Sequence, residues 1–125
     1  MKTLADYAPF GARLLLAILF LLAGVGKLGD VAGFTGYLTS GGLPAFLAWP
    51  SILFEIAVGV LLIVGWQVRL TALAAAAFCV VSAALYHNNF ADQIQMIMFL
   101  KNLAIAGGFL ALFAHGAGKL ALDKA

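Results

Sequence analysis

The chain carries five Asp/Glu and seven Lys/Arg in 125 residues, placed singly, so each charge can be weighed for chemistry on its own. Glu55 stands in an uncharged run, ten residues from either end of an apolar segment over 45–65. An ionisable group at such depth in hydrocarbon is costly and marks a site with a partner to be named. Lys101 lies about seven residues into a second apolar segment, roughly 10 Å at 1.5 Å per residue. Its long stem brings the ammonium within reach of Glu55, and Glu55–Lys101 is the expected ion pair. Lys27, Tyr86, His87, Gln95 and Asn102 fall at the same end of their segments. Together these seven form a candidate polar cluster in one half of the bundle. A buried pair that only fixes helix register is the competing reading, and no residue is assigned as catalytic.

Other chemistries are excluded by what the sequence does not contain. Cys79 is the single cysteine, which forbids an internal disulfide or a CxxC pair and leaves a small packed side chain. His87 and His115 are expected at opposite ends of the bundle, about 30 Å apart, so one haem does not bridge them. Glu55 has neither carboxylate nor histidine at i+3 or i+4, and no metal site is expected. GxSxG motifs and phosphate-cradling glycine loops are missing. A net charge of +2 without a basic block sets nucleic acid aside.

The elements that must position the cluster follow from composition. Hydrophobic residues make up 65% and charged ones 10% of the chain, and the mean hydropathy is +1.10. Soluble domains run at about 45–50% apolar and about 25% charged, so the bilayer is the expected solvent. Segments near 9–28, 45–65, 70–90 and 94–114 are each about the 20 residues a helical span requires. The first is bracketed by Arg13 and Lys27, read as interfacial anchors, and is expected to stay as an anchored helix, not a cleaved signal peptide.

Between the first two spans, Asp30 is a candidate N-cap for Val31, Phe34, Tyr37 and Leu38 at helical spacing, ended by Gly41, Gly42 and Pro44. A short helix along the membrane surface is predicted there. Arg69 sits in the tight turn joining spans two and three, and a second tight turn over 87–92 joins three and four. The resulting fold class is all-α, an integral membrane antiparallel four-helix bundle in one domain over 1–125. The stripes Arg13-Ala17-Phe20-Gly24-Lys27, Ser51-Glu55-Gly59 and Ala72-Ala75-Cys79-Ser82-Tyr86 are expected to face inward, as is Met98-Lys101-Ala104-Gly108-Ala111, with Gln95 and Asn102 on an adjoining edge. Lys2, Arg13, Arg69, Lys119 and Lys124 gather on the side of the termini, which the positive-inside rule places in the cytoplasm. Fourteen glycines permit close helix contact and a homo-oligomer.

The run GxxKLxDxxGFxxYLxxxGLP at Gly24–Pro44, the in-span Glu55, the GxxxR turn at Gly65–Arg69, a His ending span three and FLKNLAIAGGFL at Phe99–Leu110 resemble the DoxX family of small bacterial four-helix membrane proteins. The likeness covers nearly the whole chain. It implies an inner-membrane protein associated with quinone and with redox or oxidative-stress metabolism, acting alone or as membrane subunit of an oxidoreductase complex with a soluble or membrane redox partner. On that implication the polar cluster is expected to hydrogen-bond a quinone headgroup, with Lys101 and His87 donating and Glu55 relaying protons. Its shared polar residues fall on Arg13, Lys27, Asp30, Glu55, Arg69, His87, Lys101 and Asn102. A non-catalytic scaffold or assembly factor is the alternative, with a small proton-coupled transporter behind it.

Overall fold

A computed structural model of the chain describes residues 2–40, 42–86, 91–118 and 120–123, without the side chains of Lys2, Thr3 and Tyr86. Among the described residues five α-helices follow one another: α1 (Lys2–Leu28), α2 (Val31–Ser40), α3 (Ala48–Val64), α4 (Val68–Tyr86) and α5 (Gln93–His115), with a 3₁₀ turn at Ala45–Leu47 leading into α3. Four stretches of the described residues are long and apolar enough to cross a membrane: Leu4–Leu28, Ala45–Val64, Val68–Leu85 and Gln93–His115. The one large difference from the predicted spans is at the start. The helix does not begin at Pro9 but runs through it from Lys2, because Pro9 forfeits a single backbone donor while Leu4, Ala5 and Ala8 favour helix on its N-terminal side.

The four long helices form an antiparallel bundle in the cyclic order α1, α3, α4, α5, with α1 close on α3 and α4 close on α5. The seams between α3 and α4 and between α1 and α5 are looser. In lipid, helices associate through close packing, and small residues set where they approach. A Cβ on Gly24 would lie 2.7 Å from Ile56 Cγ1, and one on Gly59 would lie 2.9 Å from Leu21 Cβ and 3.2 Å from the Ala17 carbonyl oxygen. These two glycines fix the register of α1 on α3. Gly59→Val is therefore expected to destabilise the bundle by about 1–3 kcal/mol, read as a lower unfolding midpoint in detergent. Gly107→Ala, where nothing lies within 4 Å of the added carbon, should leave the midpoint unchanged or slightly raised.

Three of the four expected inward stripes are buried or half-buried wherever their side chains are described, from Arg13 through Lys27, from Ser51 through Gly59 and from Ala72 through Ser82. The fourth is corrected. On α5 it is Ala106, Phe109 and Leu112 that are buried, whereas Lys101, Ala104, Gly108 and Ala111 are exposed. Phe109 meets Phe20 edge to face at 5.3 Å between centroids, and a large ring filling the centre turns the small residues of α5 outward.

At the end of the bundle that carries both termini, Arg13 is not an interfacial anchor but fully buried, at 0% exposure. Its guanidinium donates to the carbonyl oxygens of Leu62 (2.8 Å), Ala117 (3.1 Å) and Leu120 (2.9 Å). Leu62 lies in the last turn of α3, whose carbonyls lack helical partners and carry the negative end of the helix dipole, so a forked cation is well matched to it. The chain after α5 folds back beneath the α3–α4 turn. Leu122 N donates to the Val64 carbonyl (3.1 Å) and Asp123 N to that of Gly65 (2.8 Å). The Asp123 carboxylate accepts from the backbone N–H groups of Gln67 and Val68, both at 2.8 Å, and so caps α4. Gly65 has φ of 73°, and a side chain there would run into Ala121 and the Arg13 guanidinium. Arg69 donates to the His115 carbonyl at 3.2 Å, tying the start of α4 to the end of α5.

At the opposite end, Asp30 Oδ1 accepts from Gly33 N at 3.0 Å and caps α2 as predicted. The helix stops at a reversed bond from Leu43 N to the Leu38 carbonyl, with Gly42 at φ of 86°.

Candidate functional site

Glu55 does not pair with Lys101. Its carboxylate accepts a hydrogen bond from the Lys27 ammonium in an ion pair joining α3 to α1, with side-chain exposures of 5% for Glu55 and 29% for Lys27. The cause is the close approach at Gly24: one turn beyond it, Lys27 passes directly over the carboxylate. The ammonium also lies 4.8 Å from the Phe34 ring centroid, so α2 helps hold it in place. Lys27 is thus a partner at depth and not a surface anchor.

The pair lines a cavity of about 620 Å³ enclosed by the halves of α1, α3, α4 and α5 nearest α2. Ligand pockets of small molecules span about 300–1,000 Å³ and combine apolar walls with few polar groups. Here the apolar walls include Phe20, Phe54 and Phe78, and the polar groups are Lys27, Ser51, Glu55, Ser82, Lys101 and Asn102. Phe54 and Phe78 lie 5.1 Å apart and Phe20 and Phe78 6.0 Å apart, forming a contiguous aromatic wall. Val81 and Leu85 of α4 border the cavity while remaining exposed on the bundle surface, which opens the cavity sideways. From α2, Phe34, Tyr37 and Leu38 contribute a roof. Partial burial pushes the Tyr37 phenol above its ordinary pKa.

The predicted cluster is therefore assembled in part. Lys27, Glu55, Lys101 and Asn102 share the cavity wall, Lys101 as an exposed residue and Asn102 half-buried. Gln95 is half-buried in the first turn of α5 and lies outside the lining. His87 and the Tyr86 side chain lie outside the described residues. Asp30, Arg13 and Arg69 serve as the helix cap and the carbonyl ties already described. The roof from α2 and the phenylalanine wall were missed as parts of a site. The spacing of Phe34, Tyr37 and Leu38 was the available signal, since a surface helix must lay its apolar face on something. Among the described residues, no three His, Cys, Asp or Glu side chains come together as a metal site.

Comparison with known proteins bears on this geometry. The family model described as DoxX matches residues 8–88, which include most of α1, all of α2, α3 and α4, and three of the four walls of the cavity. The chain is also 41% identical over 124 residues to inner membrane protein YqjF of Escherichia coli (strain K12), a match covering 99% of this chain and 95% of that protein. The chain belongs to the DoxX family. A second relative, inner membrane protein YphA of the same strain, is 28% identical over 120 residues, covering 90% of this chain and 86% of that protein. No solved structure matches the chain. With four apolar helices of spanning length, this DoxX protein is a multi-pass inner-membrane protein in contact with the lipid bilayer.

Proposed function

We propose that this DoxX protein is a quinone-associated membrane protein of redox or oxidative-stress metabolism, and that the cavity under α2 receives the quinone headgroup. The observation that carries this reading is the side-opening cavity of about 620 Å³ whose largely apolar walls carry the Lys27–Glu55 ion pair, Lys101, the hydroxyls of Ser51, Ser82 and Tyr37, and the Asn102 amide. A quinone in the bilayer needs this combination: donors for its carbonyl oxygens, flat aromatic surface for its ring, and entry from lipid without crossing water. Lys27 and Asn102 are placed as donors, and Glu55 as acceptor for the hydroxyl proton of the reduced form. Bound quinone supplies the two-electron chemistry, and a soluble or membrane partner exchanges the electrons with it. Both termini lie in the cytoplasm, since the basic residues of the termini and of the α3–α4 turn outnumber those of the α2 end.

The ion pair weighs against a small cation exporter, because Lys27 already neutralises the carboxylate such a transporter would offer its cargo. An azido-quinone photoprobe in native membranes tests the proposal. Labelling is expected on the peptides bearing Ala23–Lys27 and Phe78–Ser82, and competed by unmodified quinone. Labelling confined to lipid-facing residues such as Leu15 and Leu22 would contradict it.

A further inference from the structure

A second, smaller space adjoins the cavity behind its aromatic wall. A narrower groove of about 170 Å³ runs along the loose seam between α3 and α4, sharing Phe54 and Ala74 with the cavity. Its remaining walls are Ala57, Val58 and Leu61 of α3 and Leu70 and Thr71 of α4. From Phe54 to Leu61 it descends seven residues toward the termini, about 10 Å at 1.5 Å per residue. Polarity changes along this path. The charges, the amide and the serine hydroxyls belong to the cavity, and Thr71 is the single polar residue of the groove.

We infer that this groove holds the hydrocarbon chain of the quinone, so that the site selects a prenyl-tailed quinone over a chainless one. This rests on the proposed function and adds the feature that determines the ligand's class and direction. The headgroup lies under α2, and a single chain passes Phe54 and Ala74 and descends between α3 and α4. Small side chains keep the seam open: Ala57, Ala74 and Ala77 occupy positions where larger residues would close it. One side of the groove remains exposed, as Ala57 and Ala74 are, so a chain longer than the groove continues into lipid.

The test is competition against the azido-quinone probe in nanodiscs, comparing a chainless benzoquinone with a prenyl-tailed quinone at matched mole fraction. The protein is taken as wild type, as Ala57→Phe to fill the groove, and as Val60→Phe to add the same bulk at an exposed α3 position outside it. Ala57 and Val60 both lie at the bundle surface, so neither substitution overpacks the buried core. In wild type the tailed quinone is expected to compete several-fold better at matched mole fraction, from the close packing of its chain against the groove walls in place of mobile lipid. Ala57→Phe should remove that advantage and leave the chainless quinone unchanged, while Val60→Phe changes neither. An advantage that survives Ala57→Phe overturns the tail groove while the headgroup site stands. Failure of both quinones to compete overturns the headgroup site and the groove with it. Loss of co-purified phospholipid instead of tailed quinone in Ala57→Phe would make the occupant an acyl chain and also overturn the inference.

Discussion

Arg13→Met is expected to destabilise the bundle more than any other single change considered, by about 3–5 kcal/mol. The guanidinium is at 0% exposure and binds carbonyl oxygens of Leu62, Ala117 and Leu120, groups separated by up to 58 positions in sequence. Methionine matches the stem but offers no donor. Those carbonyls would then face one another in a space too tight for bulk water, each at the cost of an unsatisfied buried acceptor. The tail from Ala117 to Asp123 should detach, and with it the Asp123 cap of α4. Arg13→Lys keeps the charge but not the fork, and should recover less than half of the loss. Helicity followed through a denaturing detergent titration checks the midpoint, and protease sensitivity of the C-terminal segment checks the detachment. A variant unfolding at the wild-type midpoint with a protected tail would remove Arg13 as the organiser of this end.

The second large effect concerns the pair in the cavity, where the two partners are not equivalent. Glu55 has a side-chain exposure of 5%, and Lys27 has 29% on a stem long enough to lead its ammonium to the α2 end. Lys27→Met therefore leaves a carboxylate stranded among phenylalanines and should cost about 3 kcal/mol or more. Glu55→Gln leaves a lysine that can withdraw toward water, and should cost about 1 kcal/mol. The double variant Lys27→Met/Glu55→Gln should be more stable than Lys27→Met alone, since it removes the uncompensated charge. A double-mutant cycle on unfolding midpoints measures the coupling. Equal costs for the two single changes, adding in the double, would mean that the pair is solvated and contributes no register.

The parts of this architecture that could be read from the sequence were those fixed by spacing within one helix. The stripe Arg13, Ala17, Phe20, Gly24 and Lys27 turned inward because charges and small residues share one face of α1, and Ser51, Glu55 and Gly59 did so on α3 for the same reason. Asp30 showed as a cap because its function is local. What could not be read depended on contacts between helices. The partner of Glu55 was set by how deeply Gly24 and Gly59 let α1 sink against α3, a matter of inter-helix register that a lysine's depth on α5 does not reveal. The face of α5 was misread because that helix is apolar nearly all round, so that small residues and large ones compete for the interior without a polar face to decide. In this bundle Phe109 decided it. Arg13 looked like a boundary residue because it flanks an uncharged run, and its burial depends on a tail 104 positions away folding back onto it. The cavity follows the same rule: Lys27, Glu55, Lys101 and Asn102 stand out in the sequence as a polar cluster, whereas the serines, the aromatic wall and the roof join them only once α2 and the seams are in place.

The central claim is that the polar cavity holds a quinone, and the most direct measurement is quinone per protein in native-lipid nanodiscs, quantified by mass spectrometry against the bulk membrane. Wild type, Lys27→Met and the cavity-filling Ser82→Phe would be compared after confirming that each elutes as folded protein. Wild type is expected to be enriched over bulk membrane, with the enrichment reduced at least about tenfold toward the bulk ratio when a charged hydrogen bond is removed or the space is filled. Quinone at the bulk ratio in all three would contradict it and leave the Lys27–Glu55 pair as a device that fixes the register of α1 on α3.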